Sequence, residues 1–313
     1  MREIPTPIAN VPTLPMPSSP PRGILIVDKP LGPSSHAVVA AARKALGTRK
    51  VGHAGTLDPA ASGVLVLGVG AGTRLLGYLA GDDKEYVSTF VMGIGTVSDD
   101  AQGEVTASPG AVIDRESLAA AMTRWTGNIL QRPSSVSAIK VDGRRAYDLV
   151  RSGEDVELPA RPVCISAFEL LEMAQDVQDG VPVTVVRVRV VGSAGTYVRA
   201  LARDVATDLG TVGHVRELRR VRSGAFVEAD SVVSESITPE AMLTLVEAAR
   251  RSMTWVEVPT SSVDLICHGV RIPWPEDAPQ SGDVALVNDE RLLAVARCRD
   301  SQAAYAAVFT DER

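Results

Sequence analysis

Twelve residues, Gly52 to Gly63 (GHAGTLDPAASG), constrain this chain more than any other stretch. They place one carboxylate, Asp58, in a glycine-bounded loop. Pro59 removes a backbone donor and pushes Asp58 away from helical geometry. Gly52, Gly55 and Gly63 allow turns that residues with a Cβ resist. The run Val64–Val69 that follows reads as a buried strand. Asp58 therefore sits on a stiff loop entering a core strand. That placement suits a reactive group, and equally a turn aspartate bonding its own backbone.

Ile24 to Val27 reads as a short buried strand, and Ser34 or Ser35 as the cap of a helix carrying Val38, Val39, Ala42 and Leu46, stopped by Gly47. Thr73 to Leu79 reads as a short helix and Lys84 to Ile94 as a strand. Asp114 caps a helix through Trp125, ended by Gly127. Residues 128–162, rich in Pro, Gly and charge, read as a loop with a short helix near Tyr147–Arg151. Val183 to Val191 is a strand with Arg187 and Arg189 on one face and Val186, Val188 and Val190 on the other. Thr196 is expected to cap a helix with Leu201, Val205 and Leu209 on one stripe. Thr238-Pro239-Glu240 is expected to open another, reaching about Arg251. Short apolar runs between turn residues then predict a small β-rich module over 253–313. Helices and strands mix without regular β-α-β alternation, which predicts an α+β fold.

A length of 313 residues favours one large and one small domain. No apolar run approaches the roughly 20 residues that cross a bilayer, and the N-terminus has no signal-peptide layout. Seven prolines in the first 21 residues instead predict a poorly ordered tail over 1–22. Cys164, Cys267 and Cys298 show no metal or disulfide spacing, so no metal site is expected and a reducing, cytoplasmic setting is. The net charge of −6 argues against a uniformly basic nucleic-acid binder. The distribution says otherwise: Arg22–Arg74 carries a net +5 and Arg199–Arg222 a net +3. Solvated helix faces would explain either stretch alone. No dinucleotide fingerprint, phosphate loop or metal cluster appears, so no cofactor is expected.

The block G-H-x-G-T-L-D-P, met here from Gly52 to Pro59 without a gap, resembles the signature of the tRNA pseudouridine-55 synthases, the bacterial B-type family of pseudouridine synthases. Further blocks follow in that family's order: Gly23–Ser35, Asp83–Tyr86, Ser137–Lys140, Gly143–Tyr147, Gly195–Arg199 and Leu218–Arg220. The likeness covers about 23–235 well and the C-terminal part loosely. It implies a pseudouridine synthase mixed-sheet core over 23–252, with an RNA-clamping insertion at about 128–162, and a PUA-like RNA-binding module over 253–313. It implies a cofactor-free isomerase acting on uridine 55 in the T arm of tRNA, on a flipped-out nucleotide, with the protein a monomer.

The resemblance makes Asp58 the nucleophile or base, Tyr86 a base contact and proton-transfer group, and Arg199 the cation paired with Asp58. A local argument also singles out Arg199. An arginine in the first turn of a helix opposes the helix dipole, and a residue placed against a local rule tends to serve a site. His53, Tyr197, Leu218, Lys29, Lys84 and Asp100 are implied as substrate-binding positions. As bare residues, Tyr86, Tyr197 and Leu218 would read as packing. Extrusion of a stacked uridine costs a few kcal/mol, which phosphate contacts from the basic stretches can offset. A non-catalytic tRNA-binding protein on the same scaffold is the main alternative. An rRNA synthase working in a guide-RNA particle and a small-molecule α/β enzyme fit the insertion and the basic stretches less well.

Overall fold

The computed structural model describes residues 20–134, the backbone of 140–141 and 144–145, and residues 158–310. The proline-rich stretch 1–19, most of the expected clamp and the helix expected at Tyr147–Arg151 lie outside the described residues.

Among the described residues the main sheet has ten strands, in the order β14-β1-β3-β12-β4-β11-β10-β7, with β2 on β3 and β13 on β12. Its strands are β1 (Gly23–Lys29), β2 (Val51–Ala54), β3 (Ala61–Val69), β4 (Lys84–Met92), β7 (Gly127–Gln131), β10 (Arg161–Gln178), β11 (Val181–Gly192), β12 (Gly213–Ser223), β13 (Phe226–Val227) and β14 (Val232–Val233). β12 runs parallel to β3 and antiparallel to β4, so the sheet is mixed, as expected of an α+β fold. Short hairpins β5–β6 (Gly95–Thr96, Val105–Ala107) and β8–β9 (Lys140–Val141, Arg144–Arg145) lie apart from it. The helices are α1 (Ser35–Ala45), α2 (Leu76–Leu79), α3 (Arg115–Arg124), α4 (Val198–Asp208), α5 (Leu245–Ser252) and α6 (Val263–Cys267). Among the described residues no helix is long and apolar enough to cross a membrane.

β1 and β3 are nearly continuous apolar runs because both of their faces are covered. Leu25, Val27, Leu65 and Leu67 join one core with α1 and α4. Ile24, Ile26, Val64 and Val66 join a second core with Ala285, Val287, Leu292, Val295 and Phe309. Those last five belong to the expected C-terminal module, a four-stranded sheet of β15 (Thr254–Glu257), β16 (Val284–Asn288), β17 (Arg291–Arg299) and β18 (Gln302–Val308). The module thus backs the strand that leaves the Asp58 loop.

Several local expectations hold. Ser34 caps α1, accepting from the Ala37 N–H, and Asp114 caps α3, accepting from the Ser117 N–H. Val186, Val188 and Val190 are fully buried on β11, opposite Arg187 and Arg189. Others are corrected. Residues 128–131 and 161–162 are strand, not loop, because β7 zips onto β10 from Gln131↔Arg161 to Gly127↔Ile165. Thr196 does not cap α4: the cap is Tyr197, with no side-chain cap bond, and Thr196 Oγ1 is buried without a partner among the described residues. The helix expected from Thr238 to Arg251 breaks at Leu243, whose N–H and C=O both bond Ile24. α5 begins afresh behind a capping box of Thr244 and Glu247.

Candidate active site

The loop holding Asp58 is fixed at several points. Leu57 is buried in the main core, its N–H donates to Ser35 Oγ at 2.9 Å, and the Ser35 hydroxyl is 2.9 Å from Leu57 O. Gly32 N–H donates to Pro59 O at 2.9 Å, and Ala61 N–H closes onto Asp58 O at 3.0 Å. Gly63, at φ +101°, pairs with Arg220, and a Cβ there would lie 2.2 Å from the Arg220 carbonyl oxygen. Only glycine lets β3 come this close to β12.

Arg199 is 4% exposed and reaches Asp58 from α4, its Nη2 donating to Asp58 Oδ2 at 2.6 Å. Nη1 donates to Ser98 O at 2.7 Å and to Asp100 Oδ2 at 3.2 Å. Asp100 Oδ1 accepts from Ser98 Oγ at 2.6 Å and from the Gln102 N–H at 3.1 Å. The guanidinium is therefore a bridge between two carboxylates of unequal burial: the Asp58 side chain is 35% exposed and that of Asp100 10%. Asp58 keeps access to solvent while its cation is locked from behind. Asp100, expected beside the substrate, pairs with Arg199 and lines the larger of the two cavities that meet at Asp58.

Two adjoining cavities, about 340 and 460 Å³, meet at Asp58, Ala61, Arg199 and Leu218. The smaller one is also lined by Tyr86, Lys84 and Tyr197, and the larger by Asp100. Its size, at the lower end for ligand pockets, suits a single nucleoside. A larger hollow of about 890 Å³ holds none of the candidate residues. Tyr86 is 9% exposed in β4. Tyr197 is held by its backbone: its N–H donates to Gln131 Oε1 at 2.8 Å, and Gln131 Nε2 donates to its carbonyl at 3.1 Å.

Two expected substrate-binding residues line neither of these cavities. Lys29 is fully buried, with Nζ donating at 2.8 Å to both Pro30 O and Pro33 O. Burial, opposed by the charge of Asp58 and reinforced by Arg220, lowers its pKa to about 8. The structure thus gives Lys29 a place beneath the 30–33 loop, not on a cavity wall. His53 packs edge-on to His36 at 5.4 Å and lines neither cavity, and its Nδ1 is buried without a partner among the described residues. Burial first, then His36, lowers its pKa.

Sequence reasoning missed two residues here. Gln131 is 1% exposed on an edge strand and announces itself by no motif. Arg220 is 1% exposed and lines the smaller cavity, with Nε donating to Val64 O at 2.7 Å and Nη2 to Gly55 O at 3.1 Å. Its β-strand setting between Leu218 and Arg222 was the available signal, since it is the arginine on the inward side of β12.

The N-terminal domain of the TruB family of pseudouridylate synthases matches residues 43–198, and the C-terminal domain of tRNA pseudouridylate synthase B matches 199–252. The tRNA pseudouridine synthase B of Streptomyces avermitilis is 45% identical over 293 residues, spanning 92% of this chain and 97% of that protein. Its counterpart from Cutibacterium acnes is 48% identical over 285 residues, 90% of this chain and 94% of the relative. Among solved structures, the archaeal box H/ACA sRNP Nop10-Cbf5 complex superposes with a TM-score of 0.67 at 25% identity, covering 92% of this chain and 86% of the other. A mixed sheet with an aspartate–arginine pair at its cavity, and relatives this similar along nearly their whole length, lead to one conclusion: the chain belongs to the TruB family of pseudouridylate synthases.

Proposed function

We propose that this protein isomerises uridine 55 in the T arm of tRNA to pseudouridine, acting on a nucleotide extruded from the stack. The observation that carries this is the Asp58–Arg199 pair at 2.6 Å, opening on a nucleoside-sized cavity that also holds Tyr86. The similarity to proteins named tRNA pseudouridine synthase B supports tRNA as the substrate class.

The reaction breaks the bond from C1′ to N1, turns the base and joins C1′ to C5. Asp58 serves either as the nucleophile at C1′ or as the base that takes the C2′ proton. Both routes need an exposed carboxylate held in one orientation, which Arg199 supplies. Tyr86 offers a ring for the uracil face and a hydroxyl for the proton at C5. Tyr197 and Leu218 wall the base. By resemblance His53 contacts T-arm nucleotides, and the 128–162 insertion and the C-terminal module hold the RNA. Lys29 and Asp100 act through others, Lys29 by bracing the 30–33 loop and Asp100 by fixing Arg199. The protein works as a cytoplasmic monomer.

Pseudouridine mapping in tRNA from cells with and without this protein tests the reading. Loss confined to position 55 is the expected result. Retention of pseudouridine at 55 in cells lacking the protein would overturn it.

A further inference from the structure

Arg199 is paired with two carboxylates, but a second buried guanidinium beside the same cavity is not. Arg220 is 1% exposed, and among the described residues it forms no ion pair. Its Nε and Nη2 are spent on the neutral carbonyls of Val64 and Gly55, and Nη1 has no partner among the described residues. Lys84, 5% exposed, likewise donates to backbone carbonyls, to Ala80 O at 2.6 Å and to Asp82 O, with the charges of Asp82 and Asp83 nearby. Burying a cation without a carboxylate is costly, and side chains kept so are concentrated at functional sites.

Gly55 lies beside the free N–H. Gly55 lines the cavity at φ +83°, and a β-carbon there would lie 3.5 Å from Arg220 Nη1 and 3.7 Å from Lys84 Cε. Gly55, Lys84 and Arg220 together line this part of the cavity. An arginine is charged at every accessible pH and presents a rigid fork, so fixing two of its nitrogens aims the third.

When C1′–N1 breaks, the electron pair stays on the base. Uracil becomes an anion, with the charge spread from N1 over O2 and O4. It remains so until C5 delivers a pair to C1′, the C5 proton departs and N1 regains a proton. That charge is absent from the bound uridine and present only once the bond is breaking, which is where preorganised donors act most strongly.

We propose that Arg220, through Nη1, is a catalytic donor that stabilises the departing uracil anion, with Lys84 adding positive potential from behind. The inference rests on the pseudouridine synthase reading above. Arg199 governs the carboxylate, and Arg220 governs the base.

The test compares wild type, Arg220→Met, Arg220→Lys and Lys84→Met in single turnover on full-length tRNA. One substrate carries uridine at position 55 and the other 5-fluorouridine, whose anion is already stabilised by the fluorine. Loss of intact starting nucleoside after digestion reports cleavage. Arg220→Met is expected to slow cleavage of uridine by about 10²–10³-fold, the usual cost of removing one such donor. Its tRNA affinity should stay within a few-fold, and its deficit on 5-fluorouridine should be at least about tenfold smaller. If Arg220→Met does not fold, Arg220→Lys and Lys84→Met carry the same test, each with a larger deficit on uridine than on 5-fluorouridine. Equal deficits on the two substrates, or a rate within about threefold of wild type, would reject the proposal and leave Arg220 as a strut for Val64 and Gly55. Failure of wild type itself to isomerise uridine would instead remove the reading on which the inference rests.

Discussion

Arg199→Met separates the two carboxylates that share the guanidinium. The substitution keeps most of the buried stem and removes the charge. Asp100, with its side chain 10% exposed, then loses its cation inside the protein. Breaking a buried pair costs about 3–5 kcal/mol. Asp100 keeps its bonds from Ser98 Oγ and the Gln102 N–H, which places the loss near the low end, about 3 kcal/mol. Asp58 has the shorter contact, 2.6 Å, yet its side chain is 35% exposed, so water replaces much of what it loses. Its share is that of a largely solvated pair, at most about 1 kcal/mol. The assay is urea unfolding at neutral pH for Arg199→Met, Asp100→Asn, Asp58→Asn and the two doubles that include Arg199→Met. The cycle should give a coupling of about 2 kcal/mol or more between 199 and 100, and below about 1 kcal/mol between 199 and 58. A 199–58 coupling equal to or larger than the 199–100 coupling would refute the burial argument.

Tyr86→Phe should keep the ring contact and tRNA affinity while losing most of the single-turnover rate; a wild-type rate would make Tyr86 packing alone. Phe309→Ala should cost about 3–5 kcal/mol, because Phe309 is 4% exposed in the core shared with Ile24 and Val66. Calorimetry should show a single transition that moves as a whole; a separate module transition, with the catalytic part unmoved, would contradict the shared core. For Lys29, the folded pKa of about 8 lies below the ordinary lysine value of 10.5. Between those values the unfolded chain binds more protons, so the penalty is full below about pH 8 and fades as pH rises toward 10.5. Wild type should therefore gain stability relative to Lys29→Met between pH 7 and pH 10, read by urea unfolding; a flat difference would contradict it.

The Asp58 loop, the Ser34 and Asp114 caps and strand Lys84–Met92 were legible because each depends on local chemistry: glycine and proline punctuation, a capping oxygen, a β-branched run. β10 was not. Its Glu-Leu-Leu-Glu-Met-Ala centre favours helix, and bulges at Ile165/Ala167 and Leu170/Glu172 break its alternation. It is strand because β11 pairs with it along most of its length. The turn was nonetheless written in the sequence: Asp179 and Gly180, at φ +50° and +81°, form the two-residue hairpin loop that Asp-Gly favours. Leu243 ended the expected helix through a long-range pairing with Ile24, which no window around residue 243 contains. At the site, charges separated by a hundred residues carry no local signal of their pairing. Asp100 on Arg199, Gln131 on Tyr197 and Arg220 under Gly55 emerge only when β4, β7, β12 and α4 converge.

The central claim is that Asp58 performs the isomerisation at tRNA uridine 55. Its most direct test gives purified wild type and Asp58→Asn the same unmodified tRNA in single turnover, with pseudouridine located at nucleotide resolution. The amide keeps size and hydrogen bonding but has neither a nucleophilic nor a basic oxygen pair. The account predicts full conversion at position 55 by wild type, and none by Asp58→Asn despite tRNA affinity within a few-fold. Substantial conversion by an Asp58→Asn preparation free of wild-type enzyme would contradict it.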